Sequence, residues 1–164
     1  MRIIFLDFDG VINNCGKYDD YVFYPIKDKK GNSHNLPISA SNILYLKELF
    51  EYCFKNNINF VLSTSWRELL SHEEIDKAFK NFFGFSYLSS PLFIGETPCI
   101  YAFEEAIRGK EIELYLKEIE LVEDYLIIDD NFDFLEKQKS HVILTNPEKG
   151  FSEKELRKVK KYFL

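Results

Sequence analysis

Cysteine is scarce in this chain. Cys15, Cys53 and Cys99 are widely spaced, with no CxxC pair and no histidine at metal-ligand spacing, so neither a disulfide framework nor a zinc site is predicted. Histidine is as sparse: His34, His72 and His141 have no spacing that would build a nucleophilic relay, and each reads as structural or solvated. No apolar run approaches membrane-spanning length, and the chain opens directly on Arg2-Ile3-Ile4-Phe5-Leu6-Asp7 without a signal peptide. A soluble protein of the reducing cytoplasm, with no membrane partner, is expected. A basic excess is missing too. With 21 Lys and Arg against 27 Asp and Glu, the formal charge is -6, which argues against the broad electrostatic grip that non-specific nucleic-acid binding needs. Lys154, Arg157, Lys158, Lys160 and Lys161 cluster near the C-terminus and read as a solvated helix face. Internal repeats and low-complexity segments are absent.

What the chain does have is apolar residues, 46% of 164, enough for one sizeable core. Residues 1–164 are read as a single domain. The 16 Phe and 10 Tyr are read as composition, without functional weight. Ile3 to Leu6 is a continuous apolar run ending in Asp7-Phe8-Asp9-Gly10, the pattern of a strand buried on both faces that delivers polar groups at its C-terminal end. Residues 13–37 lose helical periodicity. Tyr21-Val22-Phe23-Tyr24 and the turn Asp28-Lys29-Lys30-Gly31-Asn32 predict a small hairpin flap there. Ser39 or Ser41 caps a helix that buries Ile43, Leu46, Leu49, Phe50 and Cys53 before the strand Phe60-Val61-Leu62. Ser71 with Glu74 forms a capping box for a helix burying Ile75, Ala78, Phe79 and Phe82 up to Gly84, and a strand follows at Leu92 to Ile94. Ile112, Tyr115, Leu116 and Ile119 mark another helix, and Tyr125 to Ile128 another buried strand, ending at Asp129-Asp130. A short helix at Phe132 to Lys137, a strand from His141 to Leu144 and a helix capped by Ser152 with Glu155 complete the chain. This alternation predicts an α/β fold with a parallel sheet of about five strands and a ligand site at their C-terminal ends.

Asp7, Asp9, Thr64, Asp129 and Asp130 all fall at those ends. Carboxylates gathered at buried strand ends repel one another unless a cation or proton compensates them. An all-oxygen set of this kind suits magnesium, with water and a substrate phosphate completing the shell.

The order Asp7-Phe8-Asp9-Gly10-Val11, then Thr64, then Asp129-Asp130 resembles the haloacid dehalogenase (HAD) superfamily of phosphatases. The segments Leu62 to Arg67 and Arg108 to Ile112 look more narrowly like the HAD domain of Swiss Army Knife RNA repair proteins. The resemblance implies a Rossmann-like three-layer α/β/α fold and a two-step phosphoryl transfer. In it, Asp7 is the nucleophile and Asp9 the acid and base, with the Asp9 main-chain carbonyl also on the metal. It implies Thr64 as a donor to the phosphoryl group, with Ser63 or Ser65 sharing the task, and a phosphate-binding cation for which Arg108 and Lys110 both qualify. Arg108, immediately before Gly109, is slightly favoured. The metal set is Asp7, Asp9, Asp129 and Asp130, with Asp130 the preferred direct ligand. Asp133 either contributes through water or only sits at a helix N-terminus. Gly10, Ser63, Ser65, Trp66 and Arg67 are the candidate substrate-binding residues, Trp66 for a base and Arg67 for a second phosphate; a packed Trp66 beside a salt-bridged Arg67 is the plainer alternative. The stretches between the motifs leave no room for a large cap, so an open site is expected. The favoured partner is a phosphorylated polynucleotide end, ahead of a nucleotide or small metabolite, with a catalytically idle phosphate-binding module as the reading from another class.

Overall fold

The computed structural model describes residues 1–101 and 105–164. In chain order its elements are β1 (Arg2–Leu6), β2 (Tyr21–Lys27), β3 (Ser33–Ser39), α1 (Ile43–Lys55), β4 (Ile58–Leu62), α2 (His72–Phe83), β5 (Phe93–Glu96), α3 (Ile107–Glu118), β6 (Asp124–Asp129), β7 (Val142–Leu144) and α4 (Glu153–Tyr162), with short 3-10 turns between several of them. Five strands form one parallel sheet in the order β5-β4-β1-β6-β7, while β2 and β3 pair as a separate antiparallel hairpin. The chain thus adopts the expected α/β/α arrangement, with no large cap.

β1 lies at the centre, in register with β4 through Leu6↔Leu62 and with β6 through Leu6↔Ile128. Because both faces of these strands are covered, their sequences are nearly all apolar. Alternate residues serve two cores. Ile4, Leu6, Phe60, Leu62, Leu126 and Ile128 pack with α1, α2 and α4, whereas Ile3, Phe5, Val61 and Ile127 pack with Ile112 and Tyr115 of α3. Continued to the strand ends, the same alternation turns Asp7, Ser63 and Asp129 toward the layer that holds α3.

Local details depart from the sequence reading in four places. Neither Ser39 nor Ser41 caps α1. The Ser39 hydroxyl instead pairs with Asn14 and that of Ser41 with Asp20. In α2, Phe83 rather than Phe82 enters the core, and Phe82 meets Tyr24 of the hairpin edge-on at 5.7 Å. The expected helix at residues 132–137 is replaced by irregular chain followed by a 3-10 turn, Glu136–His141. Finally, the non-helical insert is a strand pair that runs on to Ser39 rather than ending at residue 37.

The hairpin packs against the body of the domain along its inner face and at its tip. Ile26, Leu36 and Ile38 on its inner face join the main core. Its turn is held by Asp28, which accepts from the amides of Lys30 and Asn32, both at 2.8 Å. Lys29 at the tip then ties the hairpin down. Its amide donates to Leu69 O at 2.9 Å, and its ammonium reaches Arg67 O at 2.6 Å and Glu96 Oε1 at 3.0 Å. No helix among the described residues is long and apolar enough to cross a membrane.

Candidate active site

Three parallel strands deliver the site. Asp7 leaves β1 with its amide bonded to Ile128 O, Ser63 leaves β4 with its amide bonded to Leu6 O, and Asp129 ends β6. These bonds extend the ladder one residue past the apolar runs, which fixes the three polar positions side by side. Oxygens of Asp7, Asp129 and Asp130 all lie within 4.8 Å of one another. Asp7 and Asp129 are buried and Asp130 is half-buried.

Burial dominates the electrostatics of this cluster. It pushes the Asp7 carboxyl up to about 6 against the opposing pull of Arg108, and the Phe8 amide and the Thr64 side chain pull the same way as Arg108. Asp129 is pushed up to about 8, by burial first and then by the charge of Asp7. Asp130 is raised as well, again chiefly by burial. Among the described residues the cluster contains oxygen ligands alone. Three mutually repelling carboxylates with one guanidinium between two of them are a donor set that fits a hard divalent cation.

That guanidinium belongs to Arg108. Its Nη2 lies 3.9 Å from Asp7 Oδ1, its Nε 3.7 Å from Asp129 Oδ2, and its Nη1 donates to Ser63 O at 2.6 Å. The position of Arg108 depends on how α3 begins. Asp133 accepts from the Arg108 amide at 3.3 Å and its carbonyl accepts from Gly109 N at 3.0 Å, so Asp133 caps α3. A side chain at Gly109 would strike Gln138 Oε1 at 2.5 Å and Leu135 N at 2.6 Å. Only glycine lets the helix start lie this close to the chain after β6. Lys110 lies in the same first helical turn, its amide bonded to Ala106 O.

Asp9 is set apart from the cluster. It is exposed, and its carboxylate accepts from Asn13 Nδ2 at 3.0 Å and from Trp66 Nε1 at 3.1 Å. The oxygens that converge are therefore those of Asp7, Asp129 and Asp130, and any share of Asp9 in a metal site falls to its main chain. Thr64 is fully buried and starts the 3-10 turn Ser65–Glu68. Ser63 is buried with a hydroxyl that has no partner among the described residues, while Ser65 is exposed beside Trp66. Asp9, Ser65, Trp66, Glu68 and Leu69 line an open cavity of about 460 Å³.

Two candidates take the plainer of the roles expected of them. Arg67 does not face a second phosphate: it is 4% exposed, pairs with Glu111 Oε2 at 2.6 Å, and donates to the carbonyls of Thr64, Thr97 and Pro98. Asp133 caps a helix, but the helix is α3. Gly10 has a packing reason of its own. Its φ is +74°, and a Cβ there would meet Asp130 Oδ2 at 2.4 Å. Gly10→Ala should therefore displace Asp130 and add backbone strain of about 1–2 kcal/mol. The expected readout is a melting temperature that no longer rises when magnesium is added; an unchanged magnesium response would mean that Asp130 is not needed for the cation. Asn13, which the sequence reading passed over, bridges this region by donating to Asp9 and accepting from Gly10 N at 3.2 Å. Its only sequence signal is a pair of asparagines following an otherwise apolar stretch. Residues 3–156 match the family described as the HAD domain in Swiss Army Knife RNA repair proteins. The chain belongs to this HAD family. The match covers the five strands of the sheet except Arg2, and all the candidate residues named above. No curated protein and no solved structure gives a significant match.

Proposed function

We propose that this HAD domain is a magnesium-dependent phosphomonoester hydrolase that works through an aspartyl-phosphate, with a nucleic-acid end as its substrate. The observation that carries the reading is the placing of Asp7: a buried carboxylate within a carboxylate cluster, 3.9 Å from the Arg108 guanidinium, with a second acid, Asp9, at the open side. Asp7, Asp129 and Asp130 would hold the ion, together with the main-chain carbonyl of Asp9. When bound, magnesium neutralises the carboxylates and draws a phosphate oxygen among them.

The chain's own groups then divide the work. Arg108 binds the phosphate as a planar fork and offsets the charge of Asp7 as the dianion approaches. Asp7 attacks phosphorus while the bond to the leaving alkoxide oxygen breaks, and Asp9 gives that oxygen a proton. To do so Asp9 exchanges one of its present donors, Asn13 or Trp66, for the substrate. Water next attacks the phosphoryl group as Asp9 takes back a proton, releasing inorganic phosphate and restoring Asp7. Thr64 and the unpartnered hydroxyl of Ser63 are the donors available to the equatorial oxygens. The substrate class is supported by the family's description and by the uncapped site.

Phosphate release should be measured from 3′- and 5′-phosphorylated RNA, mononucleotides and glycerol 2-phosphate, with magnesium or chelator. Release is expected with magnesium alone and should vanish in Asp7→Asn. Preference for mononucleotides would replace the polynucleotide end with a nucleotidase substrate. Silence across the panel, with magnesium-dependent ligand binding intact, would favour an idle phosphate-binding module instead.

A further inference from the structure

The outer face of the hairpin carries a row of aromatic rings that the fold leaves in the open. Along β2 the side chains alternate, so while Ile26 joins the core and Tyr24 packs on it, Tyr21 and Phe23 turn outward. Tyr18 precedes them. Ring centroids stand 5.5 Å apart from Tyr18 to Tyr21 and 5.9 Å from Tyr21 to Phe23, each pair edge to face. Tyr18 is 73% exposed and Phe23 54%, with Tyr21 half-buried between them. A single exposed ring needs no explanation, but a contiguous row does.

The row is also braced. Tyr21 donates its hydroxyl to Asn14 O at 2.9 Å, and the buried Asn14 is tied to Ser39 and to Asp20, each at 2.7 Å. Rings held in place lose little freedom when something stacks on them. One end of the row adjoins the site. Phe23 pairs directly with Pro37, whose carbonyl accepts from Asn13 Nδ2 at 3.5 Å, and the same amide donates to Asp9. On the far side of Asp9 stands Trp66.

The surrounding charges say what kind of contact this face can make. Asp19 and Asp20 interrupt the row, and Asp9 and Glu68 flank Trp66, so a phosphate backbone gains little there. A flat, uncharged π-face gains more, and bases present such faces only when they are unpaired. Resting on the hydrolase reading above, we propose that Tyr18, Tyr21 and Phe23 form a stacking subsite for the unpaired bases next to the phosphate of a single-stranded nucleic-acid end.

The test uses the full chain with Tyr18→Ala and Phe23→Ala combined, leaving Tyr21 in place because its hydroxyl braces Asn14. Binding of a short, fluorescein-labelled phosphorylated RNA is measured by anisotropy in the Asp7→Asn background with magnesium, so that no turnover is needed. In parallel, kcat/KM is compared for the same RNA and for glycerol 2-phosphate, which has no base. Affinity for the RNA should fall about tenfold to a hundredfold, the ratio of the two kcat/KM values should fall alike, and Phe23→Trp should retain both. The binding should also change little with salt, since each neutralised phosphate of a single strand would add about 0.7 to the logarithmic slope. Equal RNA binding by the two proteins overturns the subsite, and so does an equal fall for both substrates, which would make the rings supports of the fold. A wild type that self-associates through these rings, and a double variant that does not, would overturn it in favour of an interface between copies. If RNA binds through the rings but no substrate releases phosphate, the subsite stands and only the hydrolase reading falls.

Discussion

In chelator at pH 8, replacing Asp129 by Asn should make the protein more stable, and adding magnesium should reverse the order. Asp129 is buried beside Asp7, and its carboxyl is pushed up to about 8, far above an ordinary aspartate. Above the unfolded-state value the open chain has already released this proton, while the folded chain still holds it. Native structure therefore binds more protons than the unfolded chain, and stability falls as the pH rises toward 8. Each proton so held contributes about 1.4 kcal/mol per pH unit. Asp7, pushed up to about 6, acts in the same direction over a narrower window. Removing the charge at position 129 relieves the metal-free protein at alkaline pH and does nothing for it near pH 4. The gain expected at pH 8 is about 1–3 kcal/mol, or roughly 5 °C in melting temperature.

Magnesium replaces those protons as the neutralising charge. At a hundred times its Kd it would stabilise the wild type by about 2.7 kcal/mol. The variant, with a carboxylate lost from the cluster, should gain little, and the wild-type response should shrink at pH 5 as protons compete for the same oxygens. Melting curves at pH 5 and pH 8, with magnesium and with chelator, give all of these comparisons. A variant that melts below the wild type in chelator at pH 8, joined to a wild type indifferent to magnesium, would remove the cluster as a cation site.

The strands of this domain were easy to read in its sequence because each is buried on both faces and ends abruptly in a polar residue. Ile3 to Leu6 and Tyr125 to Ile128 put the aspartates that follow them at the ends of buried strands. Positions set by tertiary contact were a different matter. Arg108 and Lys110 occupy the same helix turn, and no pattern in the sequence shows the bond from Arg108 to Ser63 O or its reach to Asp7. That geometry depends on the Asp133 cap and on the close fit of Gly109, which join segments distant in sequence. Trp66 lay in the expected neighbourhood, but its indole N–H on Asp9 is a side-chain pairing across 57 residues that no local pattern encodes. The row of Tyr18, Tyr21 and Phe23 is hidden for another reason: in a sequence with 16 Phe and 10 Tyr a single ring carries no signal, and only the pairing of β2 with β3 shows which of them face outward.

Arg67 takes the salt-bridged alternative, and its partner, Glu111, makes the second large prediction. Glu111→Ala should cost about 3–5 kcal/mol, since it leaves a guanidinium that is 4% exposed without the carboxylate that neutralises it. That corresponds to roughly 10 °C in melting temperature for a domain of this size. Three carbonyls, those of Thr64, Thr97 and Pro98, would still accept from Arg67, which keeps the loss within that range. Glu111 also accepts from the Ile100 amide at 2.9 Å, so Glu111→Gln, retaining that acceptor, should lose less. Replacing the pair together, Arg67→Met with Glu111→Leu, should recover much of the stability, because no buried charge is then left unpaired. Activity should not follow. Arg67 fixes the carbonyl of Thr64, and Glu111 sits one helical turn after Arg108, so the pair ties the loop that carries Thr64 to the helix that carries the cation. The double variant is expected to fold and to bind magnesium while releasing phosphate more slowly, through a lower kcat rather than a higher KM for magnesium. If its activity returned along with its stability, the pair would be an element of the core alone, and Thr64 and Arg108 would keep their places without it.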